Sequence, residues 1–204
     1  MSVLSKTFLY FILLAGGMWF FVLAAWIEIR NHCTANPVKL SPKSWLQYST
    51  AGFILLPGTA VCFLLNHWEI GKMTFLNDSL RQLGQFTGIF LYAWTIGWAS
   101  WASIELGHNF THKIAIHDRQ TICQSGPYGI VRHPLYLAQM TGSLSLAVMF
   151  QNVAFGILFL FIIYFAYQRA AKEEELFLEC FGDAYRDYQK KVAMLIPGWK
   201  ASNP

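Results

Sequence analysis

Two short runs hold most of the residues able to do chemistry. The first is Gly126-Pro127-Tyr128-Gly129, followed by Arg132-His133-Pro134. The second is Arg169, followed one turn later by Glu173-Glu174-Glu175. A histidine ring changes charge near neutral pH. An arginine grips a carboxylate with two parallel N–H groups, and a glutamate accepts from an ammonium or a diol. Brought together, these groups could hold and align a polar ligand. Each also has a plainer reading. Arg132 alone reads as a basic anchor at lipid headgroups, and His133 alone reads equally well as an interfacial hydrogen-bonding group. Arg169 and Glu173 stand at i,i+4, where an intrahelical ion pair adds only a few tenths of a kcal/mol if exposed.

The elements that must carry these residues follow from composition. The 204 residues are 55% hydrophobic, 17% aromatic and only 13% charged. So little charge cannot coat a water-soluble globule of this apolarity, and disorder is excluded on the same grounds. The expectation is an all-α, polytopic membrane protein with about five transmembrane helices in a single domain. Thr7 to Ile27 is uncharged and too long for a signal-peptide core. Residues 45–65 form a second span, which Pro57 should kink. Residues 83–104 form a third, with Trp94, Trp98 and Trp101 at helical spacing, read as packing and lipid contact. The uncharged stretch 135–168 is too long for one span and has Gln151-Asn152 at its centre. It is expected to be a short hairpin of helices, 135–150 and 153–168.

An odd number of spans puts the termini on opposite sides. One side collects Arg30, Lys39, Lys43, Lys113, Arg119, Arg132, Arg169, Lys172, Arg186, Lys190, Lys191 and Lys200, the other only Lys6, Lys72 and Arg81. The positive-inside bias then predicts a non-cytosolic N-terminus and a cytosolic C-terminus. A bacterial inner membrane and the endoplasmic reticulum both fit. The polar material concentrates on the cytosolic side, in the loop 105–134 and the segment 169–197, so the catalytic or binding segments are expected there. Pro134 suits the first turn of a helix. Gly182 should end one helix and Asp183 start the next. Phe177, Phe181, Tyr185, Tyr188 and Val192 recur every three or four residues, an apolar stripe that folds the segment back on the protein or onto lipid.

Several classes are excluded. A net charge of +4, dispersed along the chain, does not propose nucleic-acid binding. Cys33, Cys62, Cys123 and Cys180 lack metal or disulfide spacing, so no metal site is expected. There is no phosphate loop, dinucleotide glycine pattern or zinc-helix motif.

The run Ser125-Gly126-Pro127-Tyr128-Gly129-Ile130-Val131-Arg132-His133-Pro134-Leu135-Tyr136 resembles the core motif of the isoprenylcysteine carboxyl methyltransferases. The later pattern is similar to that family's ending: Arg169, Glu173-Glu174, Phe181-Gly182, Tyr185, Tyr188, Val192 and Ile196-Pro197. Leu106-Gly107 and Phe110 also fit, and the resemblance covers about Leu106 to Pro197. It implies a membrane methyltransferase that uses S-adenosylmethionine in a cytosolic cofactor pocket. It further implies that Tyr128, His133, Pro134, Leu135 and Tyr136 line the cofactor, with Gln120, Thr121, Ile122 and Cys123 beside it. Glu173 and Glu174 would bind its polar parts. Arg169 would face the methyl acceptor, with Arg169 and His133 as the catalytic pair. The sequence departs from the family at Gln120-Thr121-Ile122-Cys123, where a His-x-Leu-Val stretch is frequent; main-chain contacts survive that change and an imidazole contact does not. The expected acceptor is lipophilic or lipid-linked, entering from the bilayer. An amine or small-thiol acceptor is the alternative; an amine must first lose its proton, with His133 or Glu174 as base. A membrane NADPH-dependent reductase and a non-enzymatic scaffold or transporter are further alternatives.

Overall fold

The computed structural model describes residues 6–31, 37–40, 63–109, 115–117 and 121–198. Helix α1 runs Lys6–Asn31 and α2 runs Asp78–Leu106. Helices α3, Pro134–Phe150, and α4, Val153–Phe181, form a hairpin, and α5, Asp183–Lys191, follows. The segment expected to be the second span, 45–65, lies outside the described residues apart from 63–65. Among the described residues, α4 alone is long and apolar enough to cross a membrane, with a mean hydropathy of 1.7; α3 is apolar but shorter.

One part of the all-α expectation is corrected. Strands β1, Pro37–Leu40, and β2, Ala115–His117, pair antiparallel, with Pro37 opposite His117 and Leu40 opposite Ala115. Both lie outside the long apolar runs. Each is too short to show the two-residue alternation that identifies a strand in a sequence.

The helix ends have local causes. Asn77 caps α2 by accepting from Leu80 N–H at 2.9 Å, and Asn152 caps α4 by accepting from Ala154 N–H at 2.9 Å. Between α3 and α4, Gln151 takes a positive φ of 50°, and the tight turn is held from outside. The loop after residue 67 plugs it. Asn152 Nδ2 donates to Ile70 O at 2.9 Å and Gln151 Nε2 to Arg81 O at 2.8 Å, while Met73 N–H reaches Gln151 O at 3.0 Å. Gly182 has φ 53° and ψ −125°, a conformation open to glycine, and it separates α4 from α5.

Helix α3 packs between α2 and α4. Gly88 permits a close approach: a Cβ there would stand 2.6–2.7 Å from Met149. Around this contact Leu9, Met149, Phe150, Phe155, Leu158 and Ile162 make the main core. Outward-facing side chains are apolar too, among them Phe11 and Leu14 on α1, Phe86 and Phe90 on α2, and Leu160 and Phe161 on α4. A second, smaller core of Tyr136, Ala166, Ala170 and Leu195 lies at the far end of the α3–α4 hairpin. The polar cluster is built there.

Candidate active site

The residues 125–136 are placed by hydrogen bonds from three directions. Gly126–Gly129 form a 3-10 turn that buries Pro127 and Tyr128. Tyr188 of α5 donates its hydroxyl to Tyr128 O at 2.6 Å. Val131 then pairs in parallel with Ala193, and the N–H groups of Arg132 and His133 reach Ala193 O at 2.8 Å and Met194 O at 3.1 Å. The segment after α5 therefore acts as a short strand against this run. Pro134 opens α3 at its first turn, and its carbonyl accepts from the Trp98 indole at 3.0 Å. Trp98 stacks on Trp94 and meets Trp101 edge-on, so the tryptophan series supports the start of α3.

Arg132 is not a headgroup anchor. Its Nε donates to Glu174 Oε1 at 2.6 Å and its second amine to Oε2 at 3.0 Å, and it also reaches Gln189 O at 3.2 Å. This is a two-pronged pair inside the protein, with side-chain exposures of 9% and 11%. His133 is buried beside it. Its Nε2 lies 3.1 Å from Glu174 Oε1 and its Nδ1 lies 3.6 Å from Glu173 Oε2. Its ring stacks on Tyr136. Tyr136 in turn accepts from Arg169 Nε at 2.7 Å and donates to Glu173 Oε1. The direct Arg169–Glu173 distance is 3.6 Å, so the phenol hydroxyl sits inside the ion pair that i,i+4 spacing suggests. The result is one connected network from Arg132 through Glu174, His133, Glu173 and Tyr136 to Arg169.

Protonation follows from these contacts. Burial pulls the His133 pKa down, but its hydrogen bonds to Glu173 and Glu174 and their negative charges outweigh burial and raise it. Burial raises the Glu174 pKa, but hydrogen bonds and charge from His133 and Arg132 win and hold it at about 2. Burial, with the nearby Cys123 and Glu173, pushes Tyr128 well above its ordinary value. Burial likewise raises Tyr185 and Tyr188, so these hydroxyls stay neutral donors.

The expected site residues divide into three sets. Tyr128, His133, Pro134, Tyr136, Arg169, Glu173 and Glu174 come together, and Leu135 is the second residue of α3 beside them. Thr121, Ile122 and Cys123 run as irregular chain past the end of α2. Thr121 O accepts from Asn109 Nδ2 at 3.3 Å, and Cys123 Sγ lies 3.9 Å from Glu105 O. Gln120 lies outside the described residues. Sequence reasoning missed Arg132 as a clamp, Trp98 as a support, and Gln189, whose side chain donates to Glu174 Oε2 at 2.8 Å. The signal for Gln189 was its place beside Tyr188, on the apolar stripe of a helix otherwise rich in charge.

Comparison with known proteins agrees with this geometry. Residues 87–179 match the profile of the isoprenylcysteine carboxyl methyltransferase family. The chain is 31% identical over 178 residues to a rat protein-S-isoprenylcysteine O-methyltransferase, covering 86% of this chain and 49% of that one. It is 32% identical over 99 residues to the fission yeast protein of the same name, covering 47% of this chain and 42% of that one. It thus spans about half the length of those two relatives. A solved structure described as the eukaryotic intramembrane Ras methyltransferase ICMT aligns with a TM-score of 0.62 at 20% identity, over 75% of this chain and 55% of that one; that likeness concerns the fold. A probable protein-S-isoprenylcysteine O-methyltransferase of indica rice is 30% identical over 186 residues, 87% of either chain. With a full-length relative at that identity, and with both motifs folded into one buried network, the chain belongs to the isoprenylcysteine carboxyl methyltransferase family.

Proposed function

We propose that this chain is a membrane-embedded enzyme that transfers a methyl group from S-adenosylmethionine to the carboxylate of a lipid-linked acceptor. The relatives' names point to an isoprenylated cysteine as that acceptor. The observation that carries the reading is the place of Arg169. It is 6% exposed, one residue past the uncharged run of α4 that ends at Gln168, and it is tied to Tyr136 and Glu173. A guanidinium held at the edge of an apolar layer suits an acceptor whose tail is in lipid and whose head is an acid. The outward band of apolar side chains on α1, α2 and α4 supports a bilayer location. The loop charges support a cytosolic site.

The residues present fit the cofactor. S-adenosylmethionine carries an ammonium, a carboxylate, a ribose diol and a sulfonium. The cluster offers a carboxylate at Glu173, an imidazole at His133 and aromatic faces at Tyr128 and Tyr136. Asn109 Oδ1, beside Thr121, is a buried acceptor with no donor among the described residues, which leaves polar capacity near Thr121 to Cys123. When bound, the cofactor supplies an activated methyl group on a positively charged sulfur. Glu173 would hold its ammonium or diol, and His133 its carboxylate end. An acceptor carboxylate is already ionised, so no strong base is required. The work left to the chain is to orient the acceptor through Arg169 and to exclude water.

The test is calorimetric titration of the detergent-solubilised chain with S-adenosylmethionine and, separately, NADPH. It is followed by transfer of labelled methyl to an S-farnesylcysteine analogue. Saturable binding of S-adenosylmethionine alone, with alkali-labile label in the acceptor, is the expected result. Binding of NADPH alone, or of neither, would overturn the reading. A label found on an amine or thiol acceptor instead would overturn the choice of acceptor.

A further inference from the structure

Glu173 and Glu174 are adjacent acids on one helix, and their surroundings differ. Glu173 faces Tyr136 and Arg169, and its side chain is 21% exposed. Glu174 points the other way, toward the run before α3 and toward α5. Its Oε1 accepts from Arg132 Nε at 2.6 Å and lies 3.1 Å from His133 Nε2. Its Oε2 accepts from the Arg132 terminal amine at 3.0 Å and from Gln189 Nε2 at 2.8 Å. A carboxylate offers about four acceptor sites in all, so Glu174 has none left for a ligand. One of its four contacts, however, is with a ring proposed to touch the cofactor.

We propose that Glu174 is a positioning residue for His133: it holds the Nε2 edge of the imidazole and so turns the Nδ1 edge toward Glu173 and the proposed cofactor site. Arg132 and Gln189 fix Glu174 in that role, and the backbone of His133 is fixed by its own N–H bond to Met194 O and by that of neighbouring Arg132 to Ala193 O. A histidine ring can flip about its last torsion and exchange its two edges. Here the flip would break the contact to Glu174. The proposal rests on the methyltransferase reading for what Nδ1 does, though not for how the ring is held.

The ring is best followed in the ligand-free protein, by nitrogen-15 resonances of labelled histidine, with His133→Asn used to assign the signal. The charged and titratable groups around it are Arg132 next in sequence, Glu173, Glu174 and Arg169 on α4, Tyr136 on α3, and Tyr185 and Tyr188 on α5. Glu174→Gln should move the His133 titration to lower pH and change the balance of its two nitrogens. It should also weaken S-adenosylmethionine at least tenfold, with the pH dependence of that affinity moving by the same amount. Among the described residues the Gln189 side chain touches the network through Glu174, and its carbonyl bond to Arg132 survives truncation, so Gln189→Ala should shift the titration in the same direction by less. A purely structural Glu174 would lower thermal stability and leave the His133 resonances in place. A direct ligand contact would weaken binding with the ligand-free titration unmoved. Either result overturns the proposal, as does an unmoved titration in Gln189→Ala if Glu174→Gln does not fold. Failure of the unaltered chain to bind S-adenosylmethionine would instead sink the proposed function.

Discussion

Arg169 and Glu173 share a hydroxyl, yet their removal should have different consequences. Glu173→Ala takes away the partly exposed acid proposed for the cofactor's ammonium or diol. Saturable S-adenosylmethionine binding should disappear in calorimetry. Arg169→Ala should leave that binding within a few-fold and cut acceptor turnover by a factor of about 100 or more, the scale expected when an aligning charge is lost. Tyr136→Phe keeps the ring against His133 and deletes the hydroxyl between the two charges. It should raise the acceptor KM more than the cofactor Kd, because Arg169 can then close directly on Glu173. Acidity matters at the same scale. Glu174 is held at about 2 against an ordinary 4.5, so its contribution is complete above about pH 4.5 and is lost as pH falls toward 2. His133 is raised, so its contribution is complete below its ordinary value of 6.5 and is lost as pH rises through the higher folded value. Thermal stability should therefore peak between about pH 4.5 and 6.5, and His133→Asn should flatten the alkaline side of that profile. The i,i+4 spacing of Arg169 and Glu173 was legible in the sequence because it is local. The hydroxyl of Tyr136, 33 residues from Arg169, was not. Neither was the Arg132–Glu174 pair, 42 residues apart, because only the folded hairpin makes those groups neighbours.

Among elements, the α2–α3 contact is the sharpest constraint. Gly88 meets the backbone of Met149 as well as its side chain, and backbone cannot swing aside. Gly88→Leu should lower the melting temperature of the solubilised protein clearly, by the ~1–3 kcal/mol or more that overpacking costs. Gly97 has open space around an added Cβ, and Gly97→Ala is the control that should leave stability the same or higher. Trp98→Phe removes the bond to Pro134 O, worth about 1 kcal/mol, and should be felt at the site more than in the core. The helices were visible in the sequence because charge is absent from long stretches, but the caps Asn77 and Asn152 were not read as such, and α2 starts at Asp78 rather than at the expected 83. Strands β1 and β2 were invisible, having four and three residues. The plug formed by residues 70–73 could not be read either, since backbone carbonyls accept there whatever the side chains are.

At the scale of the whole molecule, the chain puts an apolar core at one end of the α3–α4 hairpin and a polar network at the other. The segment 192–195 belongs to the network's frame. It supplies the carbonyls for Arg132 and His133, and Leu195 packs with Tyr136, Ala166 and Ala170. Deleting everything after Lys191 should abolish S-adenosylmethionine binding while α1–α4 retain their helical circular dichroism. Cofactor binding at full strength by the truncated chain would show that the strand is dispensable.

That strand also sets an order of events during synthesis. Residue 195 is made only after α1 to α4 have been synthesised. Until then the amides of Arg132 and His133 have no partners at 193 and 194, and a nascent or prematurely stopped chain carries the motif without a finished site. A chain that stops short of residue 193 would therefore lack the frame on which the proposed cofactor site depends, and would be silent rather than partly active.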